Sequence, residues 1–165
     1  ACVDLGLRWH FVGQLQRNKA ASVARYADVV QSVDRAELVD VLDRAAQRCG
    51  RRVGACVQVD LDDRPGAAQR GRGGAVPADV LALADHVAAS AALDLLGVMA
   101  VAPLGQDPSA AFAQLAQVHD TLMAAHPAAT MRSAGMSADL EAGIRAGATH
   151  IRVGSALLGP REALK

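Results

Sequence analysis

The chain has 165 residues and balances 17 lysines and arginines against 17 aspartates and glutamates, so no net field draws in nucleic acid or an anionic membrane. With one tryptophan, one tyrosine and two phenylalanines, it also lacks the stacking platforms that bind single-stranded nucleic acid. Cys2, Cys49 and Cys56 are odd in number and show no C-x-x-C spacing, which argues against a disulfide framework and a zinc site, and no apolar run is long enough to span a membrane. The chain therefore reads as one domain over residues 1–165, in a reducing cytoplasm, with a core built from alanine and valine.

Short runs rich in β-branched residues alternate with longer segments of helical period, the pattern of βα units around a parallel sheet. Trp9 to Gly13 is the first predicted strand and Val29 to Val33 the second. Asp34 and Glu37 have capping-box spacing ahead of a helix that ends at Gly50, and Val53 to Val59 follows as the third strand. Asp60, Asp62 and Asp63 lack the remaining ligands and the glycine spacing of a calcium loop. The glycine- and arginine-rich stretch from Arg64 to Gly74 after them reads as a solvated basic loop. Pro77 sits at a first-turn position before a helix over Ala78 to Ser90, and Leu95 to Ala100 is the fourth strand. Asp107 and Pro108 open a helix that stops before Pro127. Thr130 to Ala134 is the fifth strand, Ser137 caps a helix closed by Gly147, and Ile151 to Val153 is a sixth strand with no helix after it.

Six units are too few to close the usual eight-stranded barrel, so either the sheet is open or the chain holds part of a barrel. In both architectures ligands gather at the carboxyl ends of the strands. Two turns fall there near the tail: Ser133-Ala-Gly-Met-Ser137 and Arg152-Val-Gly-Ser155. Their N–H groups, their hydroxyls and the permanent charge of Arg152 suit an anion such as phosphate. Ser137 reads both as a helix N-cap and as a phosphate ligand at that same position, and the two roles are compatible. Gly154 suits a tight turn and also lets the backbone approach a phosphate oxygen, with Ser155 adding a hydroxyl. His10, between Trp9 and Phe11, reads as a satisfied core residue. His86, His119, His126 and His150 have no metal-like partner spacing, so no metal site is assigned.

The segment Arg8-Trp-His-Phe-Val-Gly-Gln-Leu-Gln-Arg-Asn-Lys19 resembles the W-H-F-I-G-x-L-Q-x-N-K signature of the pyridoxal phosphate (PLP) homeostasis proteins. The tail agrees independently: Ser133-Ala-Gly-Met-Ser-Ala-Asp139, Ala142 to Thr149, and Arg152-Val-Gly-Ser155 followed by Leu158-Gly159 are similar to that family's S-M-G-M-S-x-D, A-I-x-x-G-x-T and V-R-I-G-x-x-I-F-G run. Ser32-Val33-Asp34 and Gly97-Val98-Met99 match in order between them. Two long motifs in the correct order are a specific signal. The resemblance implies an α/β fold, a parallel (β/α) barrel of the alanine-racemase type, with about six of its eight βα units in this chain.

The same resemblance implies PLP as cofactor, its phosphate held by Ser137, Gly154 and Ser155, and Arg152 facing the pyridine nitrogen. It implies a carrier that buffers PLP and delivers it to PLP-dependent apoenzymes, without efficient chemistry of its own, as a monomer or weak dimer. Members carry the lysine that bonds covalently to PLP on a strand ahead of W-H-F-I-G; Lys19 and Lys165 match other positions, so the chain reads as the carboxyl-terminal portion of such a barrel. Two alternatives stand beside this reading. One is a fragment of a PLP-dependent amino-acid racemase, which needs the lysine and a second acid–base residue. The other is a barrel enzyme acting on a phosphorylated metabolite, which calls for carboxylates or a lysine at several strand ends.

Overall fold

The computed structural model describes residues 6–64 and 72–159. Cys2, Lys165 and most of the predicted basic loop lie outside that range. Six parallel strands form one sheet in the order β1 to β6: β1 (His10–Phe11), β2 (Val29–Val33), β3 (Val53–Val59), β4 (Leu93–Ala100), β5 (Met131–Met136) and β6 (His150–Arg152). Helices α1 (Ala20–Val23), α2 (Ala36–Arg48), α3 (Val80–Ala88), α4 (Pro108–Ala125), α5 (Leu140–Arg145) and α6 (Ser155–Leu158) alternate with them. Each strand is followed by a helix, including the last, where none was predicted.

Two hydrophobic clusters divide along the period of the strands. Val30, Ala55, Val57, Val98 and Ala134 pack with Leu38, Leu42, Leu83, Phe112 and Leu115 of the helices in the main core. Val29, Cys56, Met99 and Met131, one or three positions away on the same strands, form a second cluster on the other face, as alternation along a strand requires. One sheet face is thus covered by helices, and the other encloses a small sulfur-rich interior.

That interior exists because the sheet curls. Strands β2 and β5 are three places apart, which in a flat sheet is roughly 14 Å at the usual spacing of ~4.8 Å. Yet Ser133 Oγ on β5 meets Gln31 Oε1 on β2 at 2.7 Å. The rings of His10 on β1 and His150 on β6, the two outermost strands, lie 6.0 Å apart between centroids. Irregularities between Val30 and Val33, Ala55 and Cys56, and Ser133 and Met136 supply local bends of the kind that tighten a sheet. The architecture is a six-stranded parallel half-barrel; among the described residues β1 pairs only with β2, and β6 only with β5.

Local sequence signals were followed unevenly. Asp107 accepts from Ser109 N at 2.9 Å and caps α4, with Pro108 at its first position, and Pro77 opens a short 3-10 turn before α3. The Asp34–Glu37 capping box does not form: Arg35 occupies the N-cap of α2, and Asp34 is drawn into an ion pair with Arg35. Ser137 is likewise not a helix cap, because one further turn separates it from α5, whose N-cap is Asp139. The first strand shrinks from five predicted residues to two, as expected of a strand with one neighbour and with Trp9 and Val12 about half exposed.

The turn after β5 is set by close packing of α5. A Cβ on Gly143 would stand 2.7 Å from the Ala134 carbonyl oxygen, so only glycine lets this helix lie directly on the strand. Gly147, at φ +78°, then ends α5 and returns the chain to β6.

Candidate functional site

The two tail turns predicted to share an anion come together. Met136, at the end of β5, is in register with Arg152, at the end of β6. Beyond that pair, Ser137 Oγ accepts from the backbone N–H of Ala156 at 3.3 Å, bridging the two turns directly. Asp139 folds back to accept from Met136 N at 2.5 Å and fixes the first turn. Ser137 is half-buried, while Gly154 and Ser155 are exposed. Gly154 has φ −121°, and a Cβ there would meet nothing within 4 Å. Neither backbone conformation nor internal packing therefore requires glycine at this position, and the space a side chain would fill lies open beside both turns.

Arg152 reaches from the end of β6 across the neighbouring strand ends. Its Nη1 donates to Ser133 Oγ at 2.7 Å and its Nη2 to the Ala100 carbonyl at 2.7 Å, so the guanidinium is pinned across the ends of β4 and β5. Burial lowers its pKa from the ordinary value and the nearby Asp139 carboxylate opposes that effect. A guanidinium keeps its proton at any physiological pH. Beside it, burial pushes the Cys56 thiol up to about 12, so Cys56 is a neutral part of the wall, with its Sγ 3.5 Å from Met131 Sδ.

The polar contacts continue inward. Ser133 Oγ donates to Gln31 Oε1 at 2.7 Å, and Gln31 Nε2 meets His10 Nδ1 at 2.8 Å. Ser133 and Gln31 were not singled out from sequence as interior groups. Gln31 left a faint sign, an amide inside the apolar run Val29-Val-Gln-Ser-Val33. Ser133 was counted with the turn but belongs to the strand. His10 has its partner, as its sequence context implied, but it is only partly buried on the outermost strand and is not a core residue, because β1 has one neighbour.

The other candidates resolve into structural pairs. His86 bonds Asp40 and His126 bonds Asp85, each at 2.7 Å. Asp62 pairs with Arg64 at 2.6 Å and Asp60 with Arg72 at 3.8 Å, and no cluster able to hold a metal ion occurs among the described residues. No helix of the described residues is long and apolar enough to cross a membrane.

His119 is held neutral: Nε2 donates to the Ala129 carbonyl at 2.8 Å and Nδ1 accepts from Arg132 Nε at 3.0 Å. Burial lowers its pKa below the ordinary 6.5, the Ala129 bond opposing. The unfolded chain thus takes up a proton before the folded one does. The stability that depends on neutral His119 is complete above about pH 6.5 and is lost as the pH falls from there through the folded value. Thermal melts between about pH 7.5 and pH 5 should show a declining midpoint, and His119→Gln should make that decline shallower.

The alanine racemase N-terminal domain family matches residues 5–162. The pyridoxal phosphate homeostasis protein of Corynebacterium glutamicum is 36% identical over 160 residues, covering 93% of this chain and 70% of the relative. The chain belongs to the pyridoxal phosphate homeostasis protein family. Its Mycobacterium bovis relative is 43% identical over 163 residues, covering 95% of this chain and 62% of the relative, so the chain spans less than two thirds of that protein's length. PipY of Synechococcus elongatus PCC7942, whose structure was solved with PLP bound, superposes with a TM-score of 0.83 at 35% identity, covering 96% of this chain and 74% of that one. As a pyridoxal phosphate homeostasis family member, the chain carries its two tail motifs at adjoining strand ends.

Proposed function

We propose that this chain supplies the phosphate- and ring-nitrogen-binding side of a PLP site, in a cytoplasmic protein that carries the cofactor rather than catalysing with it. The observation that carries this reading is the junction of Ser137 with Ala156 beside Arg152: two turns and a fixed cation meet at the carboxyl end of the sheet. Ser137, Gly154 and Ser155 would hold the phosphate, the open space at Gly154 admitting an oxygen that a side chain would exclude. Arg152 would present remaining N–H groups to the pyridine nitrogen. A permanent cation there keeps that nitrogen unprotonated, which weakens PLP as an electron sink and suits storage over catalysis.

In the whole protein we place these six units within a closed eight-unit barrel whose further part brings the covalent lysine, with PLP-dependent apoenzymes as recipients. The barrel-enzyme alternative loses support from the two carboxylates at strand ends, since Asp34 is tied to Arg35 and Asp60 to Arg72.

Equilibrium dialysis of this chain against PLP should show weak, reversible binding that pyridoxal, lacking the phosphate, does not match. Ser137→Ala should weaken PLP about tenfold and leave pyridoxal unaffected, the loss of one charged hydrogen bond. Equal binding of both compounds would remove the phosphate assignment. Treatment with PLP and borohydride should label Lys19 only weakly, at the level of any exposed lysine, because it lies on the turn before α1 and not at the two tail turns; strong labelling of Lys19 would overturn the assignment.

A further inference from the structure

The contacts from Arg152 to His10 have one direction in which every proton finds an acceptor. Arginine can donate and never accept, so Ser133 Oγ must be the acceptor in its 2.7 Å bond with Arg152 Nη1. A hydroxyl can accept twice but has a single proton, and the described residues give Ser133 Oγ no partner besides Arg152 and Gln31, so that proton finds an acceptor only if the Gln31 carbonyl oxygen faces it, as it does at 2.7 Å. The amide nitrogen of Gln31 is thereby turned toward His10 and presents an N–H to Nδ1 at 2.8 Å. Nδ1 must accept, so His10 carries its proton on Nε2. A protonated imidazole would set two N–H groups against each other. Gln31 and Ser133 are 3% and 0% exposed, so water offers neither an alternative partner.

We propose that Ser133 and Gln31 are positioning residues that hold the Arg152 guanidinium in one orientation and fix His10, on the facing wall of the interior, as the neutral Nε2–H imidazole. The part concerning cofactor rests on the reading of Arg152 above; the part concerning His10 does not. The link joins the paired strands β5 and β6 to the paired strands β1 and β2, two pairs that meet only because the sheet curls. It makes the arginine and the histidine one oriented unit. The other charged or titratable groups acting on His10 are His150 of β6, Arg8 ahead of β1 and Asp28 ahead of β2; the first two disfavour its cation and Asp28 favours it. Burial is the largest influence on His10 and likewise disfavours its cation.

The test is nitrogen-15 NMR of histidine-labelled protein, which separates the two neutral tautomers and follows each ring's titration, with signals assigned by removing histidines singly. His10 should be the Nε2–H form in the wild type. Ser133→Ala frees the Gln31 amide to turn over, so His10 should shift toward the Nδ1–H form and hold a proton more tightly. Gln31→Glu gives Nδ1–H an acceptor, so His10 should bind its proton at least about tenfold more tightly. His86 and His126, paired elsewhere, should not respond in either variant. An Nδ1–H wild type, or a His10 indifferent to both substitutions, overturns the proposal; a merely structural serine would affect folding and not one distant tautomer. Dialysis against PLP supplies the second arm, in which Ser133→Ala should cost about tenfold in affinity while PLP remains preferred over pyridoxal. If the wild type binds no PLP, the cofactor reading fails and the histidine spectra still decide the link. If it binds and Ser133→Ala leaves affinity unchanged, the positioning of Arg152 is refuted.

Discussion

Gly97→Ala should unfold this protein or leave it barely stable. Gly97 has φ +144°, outside the region L residues adopt, and an added Cβ would stand 1.9 Å from the Met131 carbonyl oxygen and 2.7 Å from its carbonyl carbon. Those are backbone atoms of the neighbouring strand, in register with Gly97 itself, so no side chain can swing aside. The strands would have to part in the middle of the sheet, breaking the ladder that aligns Val98 with Arg132 and Met99 with Ser133. Strain of this kind plus lost pairing should cost about 3 kcal/mol or more, against a total stability of roughly 5–15 kcal/mol for a domain of this kind. Urea unfolding followed by circular dichroism measures it, and a midpoint within experimental error of the wild type would contradict this account. Gly154→Ala is the control at the other extreme. Its Cβ meets nothing, so stability should stay within about 0.5 kcal/mol while PLP binding weakens.

These two glycines show what a sequence can and cannot disclose. Both belong to motifs matched to the family, yet one is needed by the neighbouring strand and the other by nothing inside the protein. The runs of β2 and β3 were legible because a strand buried on both faces reads as a short valine-rich segment with few polar breaks. Helix α4 was legible from Asp107 and Pro108, whose capping geometry is local. The failures at Asp34 and Ser137 have another cause. Each has the right residue type one or two positions ahead of the true N-cap, and each is claimed by a partner that is no part of the capping motif, the adjacent Arg35 side chain in one case and the distant Ala156 N–H in the other. The pairing in the interior link was illegible beyond the lone amide of Gln31 in its apolar run, since Ser133 and Gln31 stand 102 residues apart and meet through the curvature of the sheet.

Arg152→Met should be the most damaging change to cofactor binding that the fold survives. In the native protein the guanidinium does two things at once: two N–H groups are spent on Ser133 and Ala100, and its charge faces the interior. Methionine fills comparable volume but donates nothing, so the Ala100 carbonyl and the Ser133 hydroxyl lose their donors, at a cost of about 1–3 kcal/mol. Removing a cation from a partly desolvated site offsets some of that cost, and the variant should still fold. Affinity for PLP should fall roughly 10- to 100-fold, the range for a lost charge-assisted hydrogen bond. Pyridoxal should lose affinity by the same factor, because the lost contact is to the ring and not to the phosphate. Ser137→Ala should do the opposite, reducing the advantage of PLP over pyridoxal. Arg152→Lys separates charge from shape: one ammonium cannot span Ser133, Ala100 and a ring nitrogen together, so it should resemble Arg152→Met more than the wild type. Were Arg152→Lys to bind PLP with native affinity, charge alone would suffice and the fixed orientation of the guanidinium would carry no part of the binding.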